Sequence, residues 1–286
     1  LWEGRLKLVT PSQVRERGVI IRPDEVPDTI KYGCRTKLLM SPSMGSALTG
    51  CQVIYHQPGE TYTVQLHPVS EVVIEVFKGS GEVFLGSLWY EVRRGDVIYV
   101  PENVKHGMRN PATSPEDFIC YYWQVPYLSG FKSLPGAEDE LFEGQEGHLI
   151  TYESRGRFDA RIPETGVITD VNHGALFTGY GAEMRFVIWP GMGSRKLNLH
   201  RAKHPPGFEF KVHVHPDSED TVLAFEGSGQ GFLVDRWYDM QEGDVMFAPR
   251  LVKHGTRNPA SYGEPFLATG SAAPPQMELY RLGGYL

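Results

Sequence analysis

The sequence predicts an all-β protein made of two tandem copies of one small barrel or sandwich. Three observations carry this. Residues Tyr32–Ala112 align with Tyr180–Ala260 at a constant offset of 148 without a gap, and 34 of the 81 pairs are identical. A period of this kind means two copies of one folding unit. Short runs rich in β-branched and aromatic residues recur: EVVIEVF (Glu71–Phe77), DVIYV (Asp96–Val100), DTVLAF (Asp220–Phe225) and DVMFA (Asp244–Ala248). Turn-forming tetrapeptides (KGSG, RRGD, EGSG and QEGD) bound them, and helical periodicity is scarce. Short strands between regular turn signals are the pattern of a sandwich or barrel.

Taken in order, the N-terminal segment to about Ile30 holds LKLVT and GVIIR. Both read as strands of an arm that crosses to the other barrel or to another subunit. KGSG at Lys78–Gly81 returns as EGSG at Glu226–Gly229 and reads as a hairpin turn with glycine at positive φ. Between the copies, Tyr127–Gly179 carries a weak repeat signal. Its acidic, glycine-rich run GAEDELFEGQEG (Gly136–Gly147) reads as a solvated loop. The expected division is therefore 1–130 for the first barrel with its arm, and 131–286 for the second with its linker.

A chain of 286 residues suits two such units, and 41% hydrophobic with 22% charged residues is ordinary for a globular protein. The net charge of -7 comes without a basic stripe, so no nucleic-acid partner is expected. No apolar run approaches the roughly 20 residues of a membrane span, so no membrane partner is expected either. The start lacks the apolar core of a signal peptide. Cys34, Cys51 and Cys120 all lie in the first copy without CxxC spacing. They read as buried small hydrophobes in a reducing, cytoplasmic setting. Barrels leave sheet edges that arms can cover, so a homo-oligomer, by default a homodimer, is expected.

The candidate chemistry lies in His213, His215, Glu219 and His254. If Phe208–His215 is a strand, its period of two puts both imidazoles on one face, with Cα atoms roughly 6.5–7 Å apart. A carboxylate follows past Pro216, and His254 comes from a separate strand. Three imidazoles and one carboxylate suit Fe, Mn, Ni, Zn or Cu as divalent ions, and affinity order alone does not choose among them. In the first copy Gln65 stands in place of the first histidine, while His67, Glu71 and His106 remain. Those four form a candidate second metal set, weaker because an amide oxygen is a poorer ligand than imidazole.

This spacing resembles the cupin superfamily, whose motifs are G-x5-H-x-H-x3,4-E-x6-G and G-x5-P-x-G-x2-H-x3-N. The first fits at Gly207, His213, His215 and an acidic residue. Glu219 fits x3 but leaves Gly227 one residue late, whereas Asp220 fits x4 and the following x6. Both stay candidates, with Glu219 preferred because its repeat mate is Glu71 and the mate of Asp220 is Val72. The second motif fits at Gly243, Pro249, His254 and Asn258, and again at Gly95, Pro101, His106 and Asn110. Leu251 and Asn103 stand where the family has glycine. The match covers most of the chain and implies a two-domain bicupin: two jelly-roll (double-stranded β-helix) barrels with a metal inside.

Other repeated residues are weaker candidates. His56 and His204 precede a turn and read as surface residues. Lys105 and Lys253 should face solvent. Arg109 and Arg257 are candidates for holding a substrate carboxylate by a bidentate pair. Trp89, Tyr90, Trp237 and Tyr238 read as core or edge packing. With no nucleotide loop and no serine-histidine elbow, the metal is the evident reactive centre. The leading expectation is a metalloenzyme acting on a small polar organic molecule, leaning to dioxygenase chemistry on a hydroxylated or keto substrate at the second barrel. A non-redox isomerase, decarboxylase or aminohydrolase is the alternative; WY-x4-GD from Trp89 and from Trp237 resembles ureidoglycine aminohydrolase-like bicupins. A ligand-binding bicupin and a storage-type bicupin are the non-catalytic readings.

Overall fold

A computed structural model describes residues 9–128, 132–133, 161–178 and 183–285. The first barrel is a seven-stranded sheet in the order Val167–Asp170, Asp96–Val100, Glu71–Lys78, Phe118–Val125, Gly50–His56, Cys34–Met40, Thr29–Lys31. It closes over a second sheet built on Thr61–Leu66, His106–Arg109, Ser80–Leu85 and Leu88–Arg93. The second barrel repeats this, in the order Val19–Ile21, Val245–Ala248, Glu219–Glu226, Phe266–Ala273, Asn198–His204, Glu183–Ile188, Ala175–Phe177. Its facing sheet holds Arg236–Met240, Gly229–Leu233 and His254–Arg257. The pairings are antiparallel, and the fold is the all-β pair of barrels that the sequence predicts.

Each barrel ends on a strand from the other half of the chain. Val19–Ile21 pairs with Val245–Phe247 of the second barrel, and Val167–Asp170 pairs with Asp96–Tyr99 of the first. The cut at residue 130 thus separates most strands but not these two, nor the short strand Lys132–Ser133, which pairs with Leu66 and Gln65 of the first barrel. Both arms enter through a glycine at positive φ, Gly18 (69°) and Gly166 (76°). A Cβ at Gly18 would lie 2.4 Å from the carbonyl oxygen of Phe247, and at Gly166 2.5 Å from that of Tyr99. Only glycine fits either entry. LKLVT lies largely outside the described residues, and the acidic run Gly136–Gly147 lies outside them entirely.

The strand period divides the core between the barrel interiors and the space between the two large sheets. In Glu71–Lys78, Val72, Ile74 and Val76 point into the first barrel, while Val73 joins a cluster shared by both large sheets. That shared cluster holds Cys51, Val53, Tyr121 and Trp123 from one side and Leu199, Leu223, Val245 and Phe247 from the other. The three cysteines are free and buried, as small hydrophobes should be.

One carboxyl interrupts this apolar interface. Glu75 is fully buried; its Oε2 accepts from Thr269 Oγ1 at 2.9 Å and its Oε1 has no partner. Burial pushes its pKa up to about 8. A folded pKa above the ordinary 4.5 means that ionisation opposes folding. The associated stability is full below about pH 4.5, declines as pH rises toward 8, and is level above. Glu75→Gln should therefore match the parent near pH 4 and exceed it near about pH 9 in chemical denaturation midpoint. A gap that does not change with pH would show that Glu75 is not held neutral.

Candidate metal centre

The segment before the first motif histidine is not the continuous strand expected. Glu209 and His213 make isolated bridges to Arg257 and His254. The predicted parity nevertheless holds: the rings of His213 and His215 lie 4.7 Å apart, and His254 joins them at 4.5 and 5.0 Å. One ring nitrogen from each lies within 4.8 Å of the others, the one such convergent set among the described residues.

The outer nitrogens fix which proton each ring carries. His213 Nδ1 donates to the carbonyl of Lys211 at 2.7 Å, and His254 Nδ1 to that of Val252 at 2.8 Å. His215 Nδ1 donates to Glu278 Oε1 at 2.8 Å. Protons held on Nδ1 leave the Nε2 lone pairs facing inward. His213 Nε2 and His215 Nε2 are 3.1 Å apart, and His254 Nε2 is buried with no hydrogen-bond partner. Inward lone pairs at this distance repel one another until a cation lies among them. Burial, then the neighbouring imidazoles of His254 and His215, lowers the His213 pKa to about 4, so the ring is neutral at pH 7. The donor set fits a divalent transition metal.

The carboxylate beside the histidines is Asp220, and the preference for Glu219 is corrected. Asp220 Oδ2 lies 3.5 Å from His254 Nε2 and 3.9 Å from His215 Nε2, and its Oδ1 is buried without a partner. Glu219 points the other way. Its carboxylate accepts from the backbone N–H groups of Ala47, Leu48 and Thr49 at 2.7, 2.9 and 2.6 Å. Glu71 does the same in reverse, accepting from Arg195 and Lys196 at 2.9 Å. The pair survives in the repeat because each carboxylate ties its barrel to the loop before a strand of the other.

The first barrel's candidate set is corrected with it. Glu71 is engaged in that tie, and the phenol of Tyr122 sits between the two histidines, 2.8 Å from both His67 Nε2 and His106 Nε2. Val72 stands where the second barrel has Asp220, and the repeat mate of Tyr122 is Gly270. Gln65 is buried in the same barrel. A tyrosine thus fills the space that opens over the histidines in the second barrel.

His56 and His204 are fully buried rather than on the surface. His56 Nδ1 bonds to the carbonyl of Phe118 at 3.0 Å, and His204 Nε2 to Thr256 Oγ1 at 2.9 Å. Asn110 and Asn258 donate to the backbone carbonyls of these histidines, which accounts for the motif asparagine. Arg257 stacks on Trp237 at 4.2 Å and bonds to Gln230; Arg109 stacks on Trp89 at 4.2 Å and pairs with Glu82. Both face outward and neither lines the cavity, so the substrate-binding role expected of them is corrected. Lys253 is exposed. Leu251 and Asn103, at the family's glycine position, adopt φ of 64° and 63°, which is why glycine suits that position.

Two contributors escape the sequence reading because they follow every motif. The C-terminal helix Met277–Leu282 lies across the site. Gln276 Nε2 donates to Asp220 Oδ2 at 3.4 Å and lies 2.9 Å from His215 Nε2, while Glu278 orients the His215 ring. Carboxylates behind a ligating histidine typically carry about 10–100-fold in metal affinity. Glu278→Gln should weaken metal binding by a factor in that range, measured by competition with a chromophoric chelator; unchanged affinity would refute the role. Above the histidines opens a cavity of about 280 Å³.

Two antiparallel barrels in one chain, one of them opening on a convergent histidine set, define a duplicated β-barrel protein with a candidate metal site. The family described as Cupin domain matches residues 53–122. Protein SchB of Streptomyces halstedii is 32% identical over 103 residues, which are 36% of this chain and 72% of that protein. The chain belongs to the cupin superfamily, as a two-domain bicupin. Among solved structures, protein Ylba from E. coli superposes with a TM-score of 0.66 at 14% identity, covering 91% of both chains. Bacillus subtilis oxalate decarboxylase OxdC gives 0.65 at 14%, covering 90% of this chain and 77% of that one. These likenesses concern the fold.

Proposed function

We propose that the protein is a metal-dependent enzyme whose reactive centre is confined to the second barrel, and that it oxygenates a hydroxylated or keto organic substrate. The observation that carries this is the inward set of His213, His215 and His254 Nε2 lone pairs beside Asp220, opening into a cavity. A divalent metal bound there supplies a Lewis acid and, for iron, a means of using dioxygen. The chain's own residues bind, orient and exclude water. His213 and His254 are held by backbone carbonyls, His215 by Glu278, and the helix Met277–Leu282 shields one side.

What supports oxygenation over non-redox chemistry is that, among the described residues lining the cavity, few groups are placed to move protons: Lys211 is exposed at its rim. His200 lines the cavity, but burial lowers its pKa to about 3 and it is held by Asn198 and Tyr280. Glu278 is bonded to His215, which leaves it as the residue a decarboxylase or isomerase reading would have to use.

The test is elemental analysis of purified protein together with oxygen consumption in the presence of candidate substrates. About one metal per chain is expected, and none in His215→Ala. Oxygen uptake should accompany turnover. Turnover at full rate without air would replace oxygenation by the non-redox reading. Wild-type metal content in His215→Ala would show the ligand assignment to be wrong.

A further inference from the structure

At the offset of 148, the second barrel replaces large interior side chains by small ones. Ile54, Cys120 and Tyr122, all fully buried in the first barrel, become Ala202, Ala268 and Gly270. These three positions line the cavity over the histidines. Backbone geometry is retained: Tyr122 pairs with Ile74 and Gly270 with Val222, at equivalent places in equivalent strands. The smaller side chains at these three positions leave free, beside the ligand set, space that Ile54, Cys120 and Tyr122 fill in the first barrel.

What remains around that space is mostly hydrocarbon. Phe210, Val212, Val222 and Met246 form its walls. No arginine lines it among the described residues, and its one lysine, Lys211, is exposed. A small dicarboxylate would leave much of about 280 Å³ unfilled and would set its second charge against apolar walls. An unpaired buried carboxylate is strongly penalised. A hydrocarbon ring would instead gain about 25 cal/mol for each Å² removed from water.

We infer that the substrate is a molecule with an apolar ring body, roughly one ring with its substituents, carrying at one end a pair of oxygens that chelate the metal. The inference rests on the metal reading above and deepens it. The oxygens meet the site at His213, His215 and His254, and the ring occupies the space vacated at Ala202, Ala268 and Gly270. Ala202 is then a specificity-determining residue: isoleucine at its mate, Ile54, is accommodated fully buried in the first barrel.

The experiment uses two probes with the same chelating motif. Tropolone and oxalate both offer two oxygens in a five-membered chelate, but behind it one carries an apolar ring and the other the two outer oxygens of its carboxylates. Each is titrated by calorimetry under nitrogen into the full chain loaded with Mn(II), with bound metal measured before and after. Tropolone should bind at least tenfold tighter than oxalate. Ala202→Ile should keep wild-type metal content, keep its oxalate affinity, and lose at least tenfold in tropolone affinity. Oxalate binding as tightly as tropolone would overturn the inference while leaving the metal reading intact. So would an Ala202→Ile variant that holds metal and binds tropolone as the parent does. Failure of the metal reading shows separately, as wild-type protein that takes up no metal, and overturns this inference with it.

Discussion

Asp220→Asn should lose bound metal, and Glu219→Gln should keep it while losing stability. The two residues are neighbours on one strand, and the period of two sends their side chains to opposite faces. Asp220 faces the imidazoles, with an oxygen 3.5 Å from His254 Nε2 and another that is buried and unpartnered. An amide at this position removes the negative charge that helps hold a divalent cation. Metal affinity should fall at least tenfold, while the metal-free protein should unfold near the parent midpoint. Glu219 faces the first barrel and satisfies three backbone donors at 47–49. A glutamine brings one acceptor oxygen and an NH2 group that meets donors head-on. Breaking a buried charge-assisted set of this kind costs about 3–5 kcal/mol. Urea denaturation and elemental analysis on the same two variants check the whole pattern. If Glu219→Gln lost metal at unchanged stability, the roles of the two carboxylates would be reversed.

That pair also shows what the sequence could and could not disclose. The repeat, the short strands and the turn glycines made the fold class legible, because strand period and turn chemistry are local properties. His213, His215 and His254 were legible because alternation and motif spacing survive even where Phe208–His215 is only loosely paired. The carboxylate is misread from sequence because Glu71 and Glu219, retained in both copies, look like chemistry. The cause of their retention is a contact between the barrels, which no single-barrel motif encodes. The exchanged arms carried a trace, GVI at Gly18–Ile20 and again at Gly166–Ile168 with the same offset of 148. Three residues are too few to stand out without the sheet pairings. Tyr122 as the plug of the first site could have been sought by comparing the strands after each second motif, where tyrosine faces glycine. Glu278 and Gln276 had no signal, since they lie beyond the last repeat element and reach the site only through the placement of a short helix.

The first barrel should acquire a metal site when three positions are given the second barrel's residues: Gln65→His, Val72→Asp and Tyr122→Gly. The backbone is prepared for this. His67 and His106 already face one point, each 2.8 Å from the Tyr122 hydroxyl, and the proton of His106 is tied to Val104 through Nδ1. Burial holds the His106 pKa down at about 4 and that of His67 at about 2, so both rings are neutral at pH 7. Removing the phenol vacates the centre, His at position 65 restores the third imidazole, and Asp at 72 supplies the charge. Glu71 stays untouched because its work lies at the loop Arg195–Lys196. Truncating a buried tyrosine in a packed core should cost about 3–5 kcal/mol, as for other large-to-small aromatic changes. The metal-free triple variant should therefore melt below the parent. Metal binding to the folded state alone should recover stability by RT ln(1 + [L]/Kd), so its melting point should climb with added Zn(II) more steeply than the parent's. Elemental analysis should rise from about one to about two metals per chain. Tyr122→Gly alone should not reach two, because Gln65 and Val72 leave only two imidazoles. A triple variant that folds but still holds one metal at saturating Zn(II) would mean that residue identity at these three positions does not decide which barrel is active.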